Sequence, residues 1–202
     1  MYYGPTIIIS ASIQIGGLDP KAPTTGIILN LPLAFMNALC TFITSKVIDK
    51  LGRRYIMIRF IPGIILSLLV VSFGMYLSTY EPYNTMPQRV GGYLSLVGLF
   101  FFICFFTISL SGVVWALNAE IFPIHLVGIG NSLATSSNWL SNFLVSSFFL
   151  TITSTDAGKV YAYLILCGFS IAAWVFVFYL VPETKGFTIQ QNVNRIIGRS
   201  NE

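Results

Sequence analysis

The side chains that could do chemistry in this chain of 202 residues are amides and indoles set inside apolar sequence: Asn37, Trp115, Asn138, Trp139 and Asn142. A carboxamide offers a donor and an acceptor side by side, which matches a vicinal pair of hydroxyls. Aromatic rings cover the C–H face of a ring-shaped polyol while an N–H or O–H at their edge binds hydroxyls. Asn138 and Asn142 stand four apart, so a helix places them on one face with Ser141 beside them. No carboxylate or base lies at the same depth, so the set suits a neutral polyhydroxylated ligand better than a charged one. A purely structural reading stays open for each residue, because Asn, Ser and Thr in membrane helices often bond only to neighbouring helices.

Covalent chemistry has no such set. The single histidine, His125, stands in a short connection beside one glutamate. There is no nucleophile–base pair, metal-ligand cluster or phosphate loop, so no enzyme activity, catalytic residue, metal or cofactor is expected. An enzyme acting on lipid would need His, Asp or Glu at the membrane face. Cys40, Cys104 and Cys167 fall inside apolar stretches with no metal or redox spacing, and are expected to be packing residues.

The elements that must hold the amides are long and apolar. Hydrophobic residues make up 55% of the chain, charged residues only 9%, and the mean hydropathy is +0.79. A soluble domain carries about a quarter charged residues. A bilayer accepts this composition, because lipid solvates apolar side chains and helices pair their own backbone groups. Crossing about 30 Å of hydrocarbon takes about 20 helical residues. Five stretches reach that length: Gly26 to Ile48, Phe60 to Ser78, Tyr93 to Leu117, Val127 to Ile152 and Tyr161 to Val181. A sixth, Tyr2 to Gly17, is too short for a full span and lacks the features of a signal peptide. It reads as a helix cut short.

Charges collect between the spans. Lys46, Lys50, Arg53, Arg54 and Arg59, with Lys185, Arg195 and Arg199 of the tail, fall on one side; Lys21, Arg89 and Lys159 fall on the other. The positive-inside rule then orients the first set towards the cytoplasm. The basic excess is therefore topological, and its expected partner is anionic lipid, not nucleic acid. Beyond Pro182 the chain turns polar, with Ile189, Val193, Ile196 and Ile197 at helical spacing. Two readings stand there: a short amphipathic helix along the membrane or the protein's inner face, or a frayed tail.

Five motifs then carry a resemblance. Asp49-Lys50-Leu51-Gly52-Arg53-Arg54 matches a D-x-x-G-R-R loop, and Pro182-Glu183-Thr184-Lys185-Gly186 a P-E-T-K-G signature. Trp115 to Glu120 has W-x-x-x-x-E spacing, Asn138 to Asn142 reads N-W-x-x-N, and Tyr2-Tyr3 is an aromatic pair. In this order and spacing they resemble the C-terminal half of sugar porters of the major facilitator superfamily. The stretch from Asn131 to Phe149 is most similar to inositol and glucose carriers.

The resemblance implies an all-α integral membrane fold: the C-terminal half of a major facilitator superfamily transporter, with five full transmembrane helices plus one truncated. Residues 1–181 would form the bundle, helices seven to twelve of the family, and residues 182–202 a cytoplasmic tail. The partner would be a six-helix N-terminal half that this chain lacks. The substrate, a hexose or inositol, would bind between the halves and cross by alternating access. Asn37, Trp115 and Asn142 fall on sugar-contacting positions, Tyr2 and Tyr3 on the aromatic gate. Asp49, Arg53, Arg54, Glu120 and Glu183 fall on a cytoplasmic charge network. The plasma membrane is the expected location. The alternative is a sugar sensor or regulatory subunit with a transporter fold that does not transport.

Three departures from the family pattern stand out. Thr107 occupies the place of a glutamate, which removes an acceptor. Val127 replaces an arginine of the charge network. Ser109 to Val114 replaces a proline-rich run, so that helix should be straighter, with Gly112 its only weak point.

Overall fold

The structure, a computed structural model, describes residues 23–80 and 85–197. Tyr2, Tyr3 and the short first apolar stretch lie outside them. Among the described residues seven α-helices run in order: α1 Pro23–Leu51, α2 Arg53–Tyr80, α3 Met86–Phe106, α4 Val113–Ile121, α5 Val127–Ile152, α6 Asp156–Leu180 and α7 Ile189–Ile197. A π-helical turn, Thr107–Ser111, joins α3 to α4, and no strand occurs among the described residues.

Helix ends obey local chemistry. Leu51 and Arg53 are separated by Gly52 alone, whose φ of +97° turns the chain left-handed. The α3 start carries a proline in its first turn, where the missing N–H costs nothing. The α6 start is capped by Thr155, whose hydroxyl accepts from the Gly158 N–H at 3.1 Å. Pro182 stands just beyond the α6 end and cannot continue a helix. The α7 start is a reciprocal box: the Thr188 N–H donates to Gln191 Oε1 at 2.9 Å, and the Gln191 N–H to Thr188 Oγ1 at 3.3 Å. The box and the burial of Val193 decide for the amphipathic helix, which packs against α4.

The core is a slab of α2 between α3 and α6. Met57, Ile61, Ile64, Leu68, Val71 and Met75 recur at three- and four-residue steps along α2 and are all buried. Small residues let α3 close on them. A Cβ on Gly91 would stand 2.7 Å from the Gly74 carbonyl oxygen, and one on Gly74 would stand 2.5 Å from Ser95 Oγ. In lipid, association comes from this close packing rather than from expelling water. The α6 side adds polar ties: Trp174 Nε1 donates to the Ile58 carbonyl at 3.1 Å, and Ser72 Oγ to that of Val160 at 3.2 Å.

Four described helical segments are long and apolar enough to cross a membrane: Leu31–Leu51, Arg53–Tyr80, Met86–Ile121 and Asp156–Leu180. The fifth expected span forms a helix of ample length, α5 with 26 residues, but its Asn, Ser and Thr content keeps it from matching them in apolarity. The helix through Gly112, expected to have that glycine as its only weak point, carries a second one. The π turn, Thr107–Ser111, interrupts the α-helical pattern immediately before Gly112, and α4 begins beyond it at Val113. A π turn holds one more residue than the helix needs, so it rotates the turns beyond it, and such turns often mark a functional site.

Candidate functional site

On α1, Asn37 lies one helical turn before the buried Cys40. Its side-chain oxygen accepts a 2.6 Å hydrogen bond from the hydroxyl of Thr107, the first residue of the π turn. Thr107 is only 2% exposed. The place read as a lost acceptor is thus a donor to a neighbouring candidate residue. Nothing in the sequence shows which side chain stands opposite Thr107, so this pairing was not legible there.

Trp115 projects from α4, about half exposed. One turn further on, Asn118 donates from Nδ2 to Asn131 Oδ1 across to α5 at 2.6 Å. Asn131 begins a stripe along α5 that continues through Thr135, Asn138 and Asn142, at steps of four, three and four. Those steps keep all four on one helical face. Asn118 and Asn131 were not singled out from the sequence, although the spacing of the stripe was there to be found.

Asn138, Trp139 and Asn142 are exposed, and Gly130 is the only buried residue of α5. Asn142 Nδ2 donates to the Asn138 backbone carbonyl at 2.9 Å, one turn back, which leaves its Oδ1 without a partner among the described residues. Exposed Leu, Phe and Val are at home against lipid. Exposed carboxamides are not, and they must face water, another polypeptide or a polar ligand. The structure brings Asn37 to Thr107, and Trp115's helix to the α5 stripe; among the described residues α1 and α5 do not pack closely on each other. A cavity of about 570 Å³ also opens between α5 and α6, but its walls include Leu144, Val145, Phe148, Phe149, Ile165 and Phe169. Such walls offer hydroxyls almost nothing.

The charged candidates gather at the Gly52 end of the bundle. Arg53 Nη2 reaches Glu120 Oε1 at 2.8 Å and Asp49 Oδ1 at 3.0 Å. Asp49 is 74% exposed, so its pair is worth little, whereas Arg53 and Glu120 are sheltered at 14% and 24%. Glu183 accepts from the backbone N–H groups of Arg53 and Tyr55, at 3.0 and 3.3 Å, and of Thr184 and Lys185. It therefore satisfies donors left open at the α2 start and complements the positive end of that helix. Arg54 does the reverse, donating to the Phe178 carbonyl in the last turn of α6 at 2.7 Å. Val127 opens α5 where the resemblance leads one to expect an arginine, and Glu120 Oε2 is buried without a partner.

The family model described as "Sugar (and other) transporter" matches residues 1–194. The chain is 31% identical over 199 residues to probable polyol transporter 6 of Arabidopsis thaliana, covering 95% of this chain and 36% of that protein. It is 32% identical over 207 residues to myo-inositol transporter 2 of Cryptococcus neoformans, covering 98% and 34%. With membrane transporter D1 of Leishmania donovani the identity is 33%, over 95% and 33%. The chain spans about a third of the length of these curated relatives. Among solved structures, the inward-open xylose transporter XylE from E. coli superposes with a TM-score of 0.67 at 22% identity, over 95% of this chain and 40% of that one. A double-Trp XylE mutant gives 0.72 at 23%, over 96% and 38%. At that identity the likeness is one of fold.

Proposed function

Because the chain belongs to the sugar (and other) transporter family, we propose that it forms one helical half of a carrier for a neutral sugar or polyol, completed by a second six-helix half. It is a multi-pass, all-α integral membrane protein. The observation that carries the substrate reading is the α5 stripe. Asn138 and Asn142 stand exposed on a helix with no charged residue and almost no buried one. Such a face finds partners in a polar cavity between two halves and in the hydroxyls of a ligand held there.

Asn142, Asn37 and Trp115 are the proposed substrate contacts: two amides for hydroxyls and an indole for the C–H face. The named relatives, a probable polyol transporter and a myo-inositol transporter, agree with a polyhydroxylated substrate. Transport needs no bond to be made or broken. The halves rock about the bound substrate and open it to each side in turn. Asp49, Arg53, Arg54, Glu120 and Glu183 would hold the inner side closed by tying the α1–α2 elbow to the ends of α4 and α6. The basic end faces the cytoplasm, and the plasma membrane is the proposed location.

The test is equilibrium exchange of radiolabelled hexoses and cyclitols across proteoliposomes holding the complete polypeptide that carries these residues. Saturable exchange of a neutral polyol, competed by its unlabelled form, is the expected result. Saturable binding without exchange would replace the carrier with a sensor. Preference for a charged solute would remove the substrate reading.

A further inference from the structure

We propose that Thr107 is a positioning residue that holds Asn37 as a hydrogen-bond donor, so that at this point the site selects a substrate atom that accepts. The proposal rests on the reading of Asn37 as a substrate contact. The separation of 2.6 Å lies in the range of O–H···O bonds and is short for an amide N–H. A threonine hydroxyl has a single proton, and here it is committed to Asn37 Oδ1. Thr107 is 2% exposed, so water cannot take that proton if the amide turns over. The Thr107 N–H bonds the Ile103 and Cys104 carbonyls, and the second lone pair of the Ile103 carbonyl is the one local fallback for the hydroxyl, at the loss of the short bond to Asn37. Turning Asn37 over would give up this short O–H···O bond and set an NH2 against the hydroxyl oxygen at a distance short for an N–H donor, which disfavours the turned amide. What remains open on Asn37 is its NH2, which takes no partner among the described residues.

Asn142 is polarised the other way. Its NH2 is spent on the Asn138 carbonyl, and its oxygen is open. The two amides are then not interchangeable recognisers of hydroxyls: one gives a proton and the other receives one. A hydroxyl satisfies both, but only through different atoms. An ether or ring oxygen, a keto group or a fluorine can satisfy Asn37 and cannot satisfy Asn142.

The experiment uses the parent substrate with its full sets of monodeoxy and monodeoxyfluoro analogues, since fluorine accepts weakly and cannot donate. Dissociation constants are measured on the complete polypeptide and on four variants: Asn37→Ala, Asn142→Ala, Thr107→Val and Thr107→Ser. At the substrate position silenced by Asn37→Ala, the fluoro analogue should bind about 5- to 10-fold better than the deoxy analogue. At the position silenced by Asn142→Ala, the two analogues should be equally weak. Thr107→Val frees Asn37 to accept from the parent hydroxyl, so the ratio favouring parent over fluoro should rise about 5-fold. Thr107→Ser keeps the hydroxyl and should hold that ratio within about 2-fold. Its normal ratio also shows that a change in Thr107→Val is not mere damage to the π turn.

The proposal is overturned if Thr107→Val leaves the ratio unchanged, or if Thr107→Ser shifts it equally. It also falls if fluoro and deoxy analogues are equally weak at the Asn37 position. Asn37→Ala binding every compound normally would instead remove Asn37 from the site and with it the underlying reading. That outcome is distinct, because the ratios would then have no position at which to be read.

Discussion

The α2–α3–α6 slab and the α5 helix are built from similar kinds of residue and obey opposite rules. In the slab, polar groups are turned inward and spent: Ser95 Oγ on the Gly91 carbonyl, Ser72 on Val160, Trp174 on Ile58. On α5 they are turned outward and left available, with Asn142 Oδ1 open and the Asn138 side chain without a partner among the described residues. The slab's contacts answer the need of helices in lipid for close approach. Asn131 serves that need through Asn118, whereas the Asn138 and Asn142 side chains tie α5 to no other helix among the described residues. Polarity inside a membrane protein therefore separates into two kinds, and only the unspent kind points to a ligand.

Substitutions can break this contrast or sharpen it. The largest effect is expected for Gly91→Leu, whose side chain has nowhere to go. Its Cβ would meet the Gly74 carbonyl oxygen and the Ser78 N–H nitrogen, each at 2.7 Å, and both are backbone. Overpacking of this kind costs about 1–3 kcal/mol or more, so the purified chain should lose most of its cooperative thermal transition in detergent. A variant as stable as the parent would mean that the slab is not the rigid part.

Next comes Asn142→Ala, read on binding by the complete polypeptide. It should weaken substrate affinity about 5- to 150-fold while leaving the melting temperature unchanged. Asn37→Ala should weaken affinity alike, with a modest fall in melting temperature from the lost Thr107 bond, and Trp115→Phe should cost less by keeping the ring. A fall in melting temperature without a change in affinity would make α5 structural after all.

Glu183→Ala should do the converse. Removing a carboxylate that serves the first backbone N–H groups of α2 costs about 0.5–2 kcal/mol, seen as a lower melting temperature. Affinity should barely move, although exchange rates should change if the elbow is part of the inner closure. The smallest effect belongs to Asn138→Ala, at about 0.6 kcal/mol, the average for polar contacts between membrane helices, since its expected partner is a helix of the second half and not the substrate. If this variant harms binding more than Asn142→Ala does, the opposite edge of the α5 stripe faces the substrate.

Much of the fold was legible because lipid imposes a simple length and apolarity rule. The apolar run Phe60–Ser78 sits inside α2, and Tyr161–Val181 coincides with α6 up to its cap, Val181. The tail helix was legible as well, in more detail than its apolar spacing alone suggests. Thr188 with Gln191 three residues later is a capping signal in plain sequence. The pairing of Arg53 with Glu183, 130 residues apart, is invisible to periodicity and came within reach only through two recurrent motifs. Two features could not be read at all. The π turn is one, since local propensity does not distinguish it from the helix on either side. The Thr107–Asn37 bond spans 70 residues, and substitution reasoning saw only the acceptor that threonine lacks, not the proton it brings.

The one-residue join at Gly52 has a mechanical meaning. With no loop between α1 and α2, only the two soft dihedrals of a single residue, and the slight give of its neighbours, separate two long rods. A Cβ there would lie 2.8 Å from Glu183 Oε2, so the joint is braced from outside as well. Asn37 sits fifteen residues up one rod, about 22 Å from the pivot at 1.5 Å per residue. A small sideways push at that height becomes torque at the elbow, and it arrives where the carboxylate grips the first turn of α2. Were the polar middle of the bundle displaced, this geometry would make the joint a bell-crank, delivering the displacement, turned through a corner, to the charged end.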